Sequence, residues 1–281
     1  MFAFGGLIGG FIGFLLGSMV GGPLVGIIGA VIGSSLGRGL NVTQARGGFG
    51  SQAGTTGSDN LFFISLFSML GKMAKADGQV SDSEMNTVRQ FMLRDLNLDP
   101  QLQSQAMIIF NNALNSSESF EQYAQQFYIR FRNRPQFIEL MLDALIRVAY
   151  ADNQLHPAEQ HLLESAVRIF RVPSYTFESI KNRYSAGNRY RSSSSSGSSG
   201  NSGSSYSSYG SSASHLNYAV LGCTSSSSDS EVKKAYRKKV SEFHPDKIAA
   251  KGLPEEFSKF ANDKFREIQE AYEEIKIVRK F

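Results

Sequence analysis

The sequence predicts an all-α protein with a transmembrane helix, a helical middle domain, a flexible linker and a C-terminal helical hairpin. Apolar residues of the middle region recur at intervals of three and four, which is the period of a helix with one buried face. The same spacing returns near the C-terminus, and a long uncharged segment opens the chain. The repeating apolar residues of the middle region include Leu66, Met69, Leu70 and Met73.

Composition limits the function classes. The 281 residues are enough for two small domains with connecting segments, and the net charge of +4 is mild. Because there is no tryptophan and no long basic run, we expect no nucleic-acid partner. The single cysteine, Cys223, excludes an internal disulfide and a multi-cysteine zinc site. We find no Walker loop, serine triad or catalytic carboxylate pair, so we expect no enzyme, and in particular no hydrolase.

Residues 1–37 form the predicted transmembrane anchor. The first charged side chain is Arg38, and about 20 apolar helical residues cross a bilayer. No basic segment precedes the apolar run, which favours a retained anchor over a cleaved signal peptide. Arg38 and Arg46 follow the run, so the soluble domains are expected in the cytoplasm. The segment at 21–23, Gly-Gly-Pro, leaves open one kinked span or a short hairpin.

Glycine recurs at every fourth position from residue 5 to residue 21 of the predicted anchor. This spacing places small residues along one helix face, where a second helix can approach closely. We therefore expect a homodimer through the membrane segment. A glycine-zipper pore is a weaker alternative, because nothing polar lines the stripe. The stripe consists of Gly5, Gly9, Gly13, Gly17 and Gly21.

Two segments are expected to be linkers. Residues 38–60 are rich in Gly, Ser, Thr and Gln and form a predicted juxtamembrane linker. Residues 185–214 are almost entirely Ser, Gly, Asn and Tyr. Such a segment buries too little apolar surface to offset its ordering entropy, so we expect a flexible tether. The middle domain is thereby delimited to residues 61–184.

The middle domain contains an internal repeat. Residues 74–84 echo residues 149–159, and each copy reads as a helix end, a turn and a new helix. In the first copy, Ser81 and Glu84 have the spacing of a capping box. We expect the two related helix pairs to bring their acidic turns together near a pseudo-twofold axis. Six or seven helices and no convincing strand are predicted for this domain.

The repeated Ala-Asp-Gly/Asn-Gln-Val/Leu-x-x-x-Glu stretches resemble the TerB-like domain family, a helical domain named for tellurite resistance. The resemblance implies a cluster of acids able to bind a divalent metal, whose preferred ligands are oxygens. Helix capping and turn formation are the alternative role of these acids. Apart from this metal no cofactor is expected. The candidate ligands are Asp77, Glu84, Asp152 and Glu159.

Residues 215–281 form the predicted helical hairpin. A short helix is expected to end at Gly222, and a basic amphipathic helix to end at Phe243. Because Pro245 disfavours helix for the residue before it, we expect a rigid loop there, with a long helix following from Pro254. The predicted apolar stripes are Val232, Ala235, Tyr236, Val240 and Phe243 in the first helix, and Phe257, Ala261, Phe265, Ile268, Tyr272 and Ile275 in the second.

The tripeptide His-Pro-Asp, set between Lys-Lys-Ala-Tyr-Arg-Lys and Phe-Arg-Glu-Ile-Gln-Glu-Ala-Tyr, resembles the J domain. The long run 246–256 and the order anchor, TerB-like domain, J domain resemble the DjlA subgroup, which implies the bacterial inner membrane. The resemblance also implies docking on a DnaK-type chaperone and stimulation of its ATPase. By the same resemblance, the signalling residues are His244, Pro245 and Asp246, and the docking face is Lys233, Tyr236, Arg237 and Lys238.

The sequence leaves two functions open. The first is a co-chaperone that activates another protein's ATPase. The alternative is a membrane stress or divalent-metal sensor that acts through the TerB-like domain, with the J domain as its output.

Overall fold

The computed structural model describes residues 59–78, 80–151, 155–193, 217–251 and 253–281. The predicted anchor, its glycine stripe and most of the two linkers lie outside these residues. None of the described helices combines the length and the apolar character that a bilayer span needs.

The middle domain is all-helical in its described residues, as predicted. Helix α1 begins at Asp59, two residues before the predicted boundary. The elements are α1 Asp59–Ala74, α2 Asp82–Gln90, a π-helical turn Phe91–Asp95, α3 Pro100–Asn115, α4 Phe120–Phe131, α5 Pro135–Ala149, α6 Pro157–Phe170 and α7 Ser174–Ser193.

Helix α7 continues into the segment predicted as a linker from residue 185. The linker was predicted from its lack of apolar residues, but a helix that has already formed grows by one backbone hydrogen bond per added residue. The composition therefore predicts a domain end at residue 184, whereas helix α7 continues to Ser193.

Short polar signals set the helix starts. Ser81 accepts a hydrogen bond from the N–H of Glu84 at 3.2 Å, and the Glu84 carboxylate accepts the N–H of Ser81 at 2.7 Å. This confirms the predicted capping box. Gly78, in the turn before it, has a φ of +105°, which glycine adopts without strain. Asp99 caps α3 in the same manner through the N–H of Leu102.

Helix α1 lies at the centre of the middle domain and packs against α3, α4, α5 and α6. The core is rich in phenylalanine: the Phe62 ring meets those of Phe127 and Phe131 edge to face, at 5.7 and 6.2 Å. Gly71 allows the close approach of α1 and α3. A Cβ atom at that position would lie 2.7 Å from the carbonyl oxygen of Phe110.

The C-terminal domain contains four helices and one 3₁₀ turn in its described residues. Helix α8 ends before Gly222, whose φ of +76° confirms the predicted C-cap. The elements are α8 (217–221), α9 Asp229–Phe243, α10 Pro245–Ala250, the 3₁₀ turn Glu255–Phe257 and α11 Ser258–Arg279.

Helices α9 and α11 form the predicted antiparallel hairpin. Near one end of the hairpin the ammonium of Lys233 lies 4.5 Å from the Phe281 ring centroid, and near the other end the His244 ring lies 5.8 Å from that of Phe265. Arg279 closes the open end, because its guanidinium donates to the Tyr218 hydroxyl at 2.5 Å and to the Ser227 carbonyl at 2.6 Å.

Two details of the hairpin differ from the prediction. The chain forms helix α10 directly after His244 instead of a loop, because a proline at the first helical position needs no backbone donor. The long helix begins at Ser258 rather than at residue 254. Its buried stripe includes Phe260 and Lys264, while the predicted stripe residues Phe265 and Tyr272 are only half-buried.

We predict that Gly71→Ala destabilises the middle domain. Alanine favours helix by up to about 1 kcal/mol, but forcing a Cβ against a backbone carbonyl costs roughly 1–3 kcal/mol. We expect a net loss in the free energy of unfolding, measured by urea denaturation followed by circular dichroism. Gln125→Ala, at an exposed position of α4, is the control and should not lower it. A Gly71→Ala protein as stable as this control would contradict the close packing of α1 on α3.

Candidate functional site

His244 joins two helices. It is the residue after α9 and the N-cap of α10, and its φ of −58° and ψ of 128° are typical of a residue before proline. Its Nδ1 accepts the backbone N–H of Asp246 at 3.3 Å. The Phe265 ring on α11 meets the imidazole edge to face, at 5.8 Å between centroids. The imidazole is thus fixed by a hydrogen bond within its own turn and by a ring contact with the facing helix.

The three residues of this junction differ in exposure. The Asp246 side chain is 92% exposed and that of His244 is 45% exposed, whereas Pro245 is half-buried at the first position of α10. The Nδ1 atom of His244 lies 3.8 Å from the Oδ2 atom of Asp246. An acceptor-only carboxylate and an imidazole are therefore displayed together on a rigid turn.

A basic helix face leads to the junction. Lys233, Arg237 and Ser241 are four residues apart and lie on one side of α9. All three side chains are exposed, and Lys247 of α10 donates to the Ser241 hydroxyl at 2.6 Å. We define the chaperone edge, named for the partner that the sequence resemblance implies, as Lys233, Tyr236, Arg237, Lys238, His244, Pro245 and Asp246.

Tyr236 of this edge is half-buried, with its ring stacked on that of Tyr272 at 3.9 Å and 5° between planes. Lys238 is 75% exposed and lies 3.9 Å from Glu242. The structure places the residues predicted to bind a partner on α9 and on the turn that follows it, with Lys238 on a different side of the helix from Lys233.

The acids proposed for metal are only partly brought together. Glu84 and Glu159, one from each copy of the repeat, line the same small cavity, between α1, α2, α5 and α6. Each carboxylate also accepts a backbone N–H at its own helix start, from Ser81 and His156 respectively. Asp77 is exposed in the turn before α2, and Asp152 lies outside the described residues. Within the described part of the chain, no three His, Cys, Asp or Glu side chains form a group suited to a metal ion.

Two site residues were missed in the sequence. Lys239 and Lys264 were not singled out, yet both point away from solvent and pair with Glu139 of the middle domain. The signal was their spacing: Lys239 lies four residues before Phe243, and Lys264 lies four before Ile268, so each lysine occupies a position of its helix's apolar stripe.

Two family models match the chain. Residues 63–182 match the family described as Tellurite resistance protein TerB, and residues 217–279 match the DnaJ domain. No solved structure matches the chain.

Curated relatives cover most of the chain. The chain is 32% identical to the Co-chaperone protein DjlA of Coxiella burnetii over 78% of each chain. It is also 32% identical to the protein of that name from Photobacterium profundum, over 82% of each chain. The match to the Vibrio cholerae protein of that name is 32% identical and covers 81% of this chain and 84% of the relative. The chain belongs to the DjlA family of co-chaperones.

Proposed function

We propose that this chain is a membrane-anchored co-chaperone whose C-terminal domain stimulates ATP hydrolysis by a DnaK-type chaperone. The observation that carries the proposal is the His-Pro-Asp junction, held rigid between α9 and α10 with its carboxylate almost fully exposed. The match to the DnaJ domain over residues 217–279 supports it.

The chaperone edge suits an acidic protein surface. Its lysines and arginine lie on the exposed side of α9, where they can steer a partner of opposite charge and fix its orientation. Such contacts between exposed charges weaken as salt rises. Since Pro245 fixes its own backbone dihedral, the backbone between His244 and Asp246 has less freedom to lose on binding.

Replacing His244 by Gln should reduce the stimulated ATPase rate of a DnaK-type chaperone to its unstimulated rate. Glutamine keeps a polar side chain but loses the imidazole held between the Asp246 N–H and the Phe265 ring. The measurement is single-turnover ATP hydrolysis by the chaperone with the full chain in detergent. His161→Gln, at an exposed position of α6, is the matched control and should stimulate as the unmodified chain does.

A second variant tests the basic face. Arg237→Ala should raise the concentration of this chain that gives half-maximal stimulation of the chaperone. The difference between the variant and the unmodified chain should become smaller as salt is added, because screening weakens the same contact in the unmodified chain. Normal stimulation by His244→Gln, or an Arg237→Ala deficit that does not depend on salt, would contradict the proposed roles.

The membrane part of the proposal rests on residues 1–37. Their lack of charge and the arginines that follow favour an inner-membrane anchor with the soluble domains in the cytoplasm. The glycine stripe favours a homodimer through this anchor.

We expect added protease to digest residues 59–281 in inverted membrane vesicles but not in spheroplasts. Cross-linking in membranes should give a dimer that Gly13→Leu weakens, whereas Leu15→Ala, off the stripe, should not weaken it. Digestion in spheroplasts would contradict the orientation, and a dimer unaffected by Gly13→Leu would contradict the role of the stripe.

A divalent-metal sensor remains a second candidate because carboxylates from both repeat copies line one cavity. Glu84 and Glu159 would hold the ion there, with Asp77 and Asp152 as the other proposed ligands. Bound metal would supply a fixed positive charge between the two helix pairs.

Calorimetric titration with Mg²⁺, Ca²⁺ or Mn²⁺ tests this candidate. We expect saturable binding that the double variant Glu84→Gln, Glu159→Gln weakens at least about tenfold, since charge is removed while the shape is kept. Glu121→Gln, on α4 away from the cavity, is the control. If both proteins bind alike, or neither binds, the sensor hypothesis fails and the co-chaperone function is unaffected.

A further inference from the structure

The C-terminal domain packs against the middle domain through the segment that follows the His-Pro-Asp junction. Phe257 is fully buried, and its ring meets that of Phe62 on α1 edge to face at 4.7 Å. Three residues on, the ring of Phe260 lies 6.4 Å from that of Phe91. Aromatic rings of one domain thus complete the core of the other.

Buried charges lie beside these rings. The Lys239 ammonium is 2.5 Å from one carboxylate oxygen of Glu139, and the Lys264 ammonium is 3.7 Å from the other. Lys264 also lies 3.9 Å from Asp143 and 3.2 Å from Glu267. The side chains of Lys264 and Asp143 are 3% and 4% exposed. The lysines come from two helices of the C-terminal domain, and Glu139 and Asp143 come from helix α5 of the middle domain.

The charges on both sides of the contact depend on one another. A buried lysine without an acidic partner is strongly unfavourable, because the protein interior solvates charge poorly. If the C-terminal domain moved freely, Lys239 and Lys264 would still occupy positions in the apolar stripes of α9 and α11. They would then have no acidic partner from the middle domain. Their positions are explained by a surface that offers Glu139 and Asp143 opposite them.

Two backbone carbonyls also accept hydrogen bonds across the contact between the domains. Arg134, just before α5, donates to the carbonyl of Lys251 at 2.7 Å. In the reverse direction, Lys259 donates to the carbonyl of Arg94 at 2.5 Å. The contact therefore combines an aromatic wedge, a buried ion-pair cluster and reciprocal hydrogen bonds between the two domains.

The chaperone edge does not face this contact. In the packed arrangement Lys233, Arg237, Lys238 and Asp246 are exposed. On α9, Lys239 faces the middle domain while its neighbours Lys238 and Arg237 face solvent. The helix thus serves two surfaces at once.

We propose that the middle domain is a dock for the C-terminal domain, that it holds the chaperone edge outward in one orientation, and that a DnaK-type chaperone engages this docked form. The dock is built from Phe62, Phe91, Arg134, Glu139 and Asp143. Its occupant is Lys239 together with Lys251 and residues 253–264. Engagement of the docked form by a chaperone rests on the proposed function, whereas the dock itself does not.

Pulsed electron resonance between two nitroxide labels tests the dock in the full chain. The labels are attached to cysteines at Ile129 on α4 and Ile277 on α11, which are 68% and 74% exposed, with Cys223 replaced by Ser. Labelled chain is diluted with unlabelled chain, so that only distances within one molecule are measured. We expect one narrow distance distribution, and the same distribution after a DnaK-type chaperone and ATP are added.

Charge variants give the matched comparison. Glu139→Lys should broaden the distribution, because three ammonium groups would then meet in the buried cluster. The double variant Glu139→Lys, Lys239→Glu should restore the narrow peak, which a merely unfolded domain would not do. Glu270→Gln, at an exposed position of α11, is the control and should leave the peak unchanged.

The outcomes separate the dock from the chaperone function. A broad distribution in the unmodified chain, or a peak unaffected by Glu139→Lys, overturns the dock. A narrow peak that broadens when the chaperone binds overturns engagement of the docked form. His244→Gln should keep the narrow peak while losing ATPase stimulation, so failure of the proposed function would be seen in the ATPase assay alone.

Discussion

The ion-pair cluster of Lys239, Lys264 and Glu139 is the constraint on which the arrangement of the two domains depends. Burial alone would raise the pKa of Glu139, but the two lysines, one of them a hydrogen-bond donor, hold it below its usual value. A lowered folded-state pKa stabilises the contact above the unfolded-state pKa, and that stabilisation is lost as pH falls through the folded value. Removing one partner of such a pair typically costs about 3–5 kcal/mol, because the remaining charge stays buried.

The chaperone edge uses a different physical device, which is rigidity at the surface. Pro245 ends α9 and begins α10, and the Phe265 ring of α11 packs against the imidazole of His244. The edge therefore needs the whole hairpin, and the hairpin needs Arg279, which ties its open end to Tyr218 and Ser227. Within the edge, Arg237 and Lys238 are exposed, whereas Tyr236 stacks on Tyr272 and Pro245 begins α10, so these two residues also stabilise the hairpin.

The middle domain shows how one repeat can serve two purposes. Glu84 and Glu159 cap the starts of α2 and α6, and both carboxylates also line one cavity. Helix α5, between the two copies' turns, carries Glu139 and Asp143 on its other side toward the C-terminal domain. One helix thus links the repeat to the dock, and the domain has a role in positioning the chaperone edge whatever its turns bind.

The members of the chaperone edge are a prediction from a family resemblance, whereas the sequence alone determined the all-α class, the capping box at Ser81 and the C-cap at Gly222. These features depend on helical period, on short-range hydrogen bonds and on a local motif, all of which lie within a few residues of chain. Only the tertiary structure decided that Lys239 and Lys264 are buried and that Phe257 enters the middle domain's core. Glu139 and Lys239 are 100 residues apart, and no local pattern indicates which distant charge a buried lysine will meet.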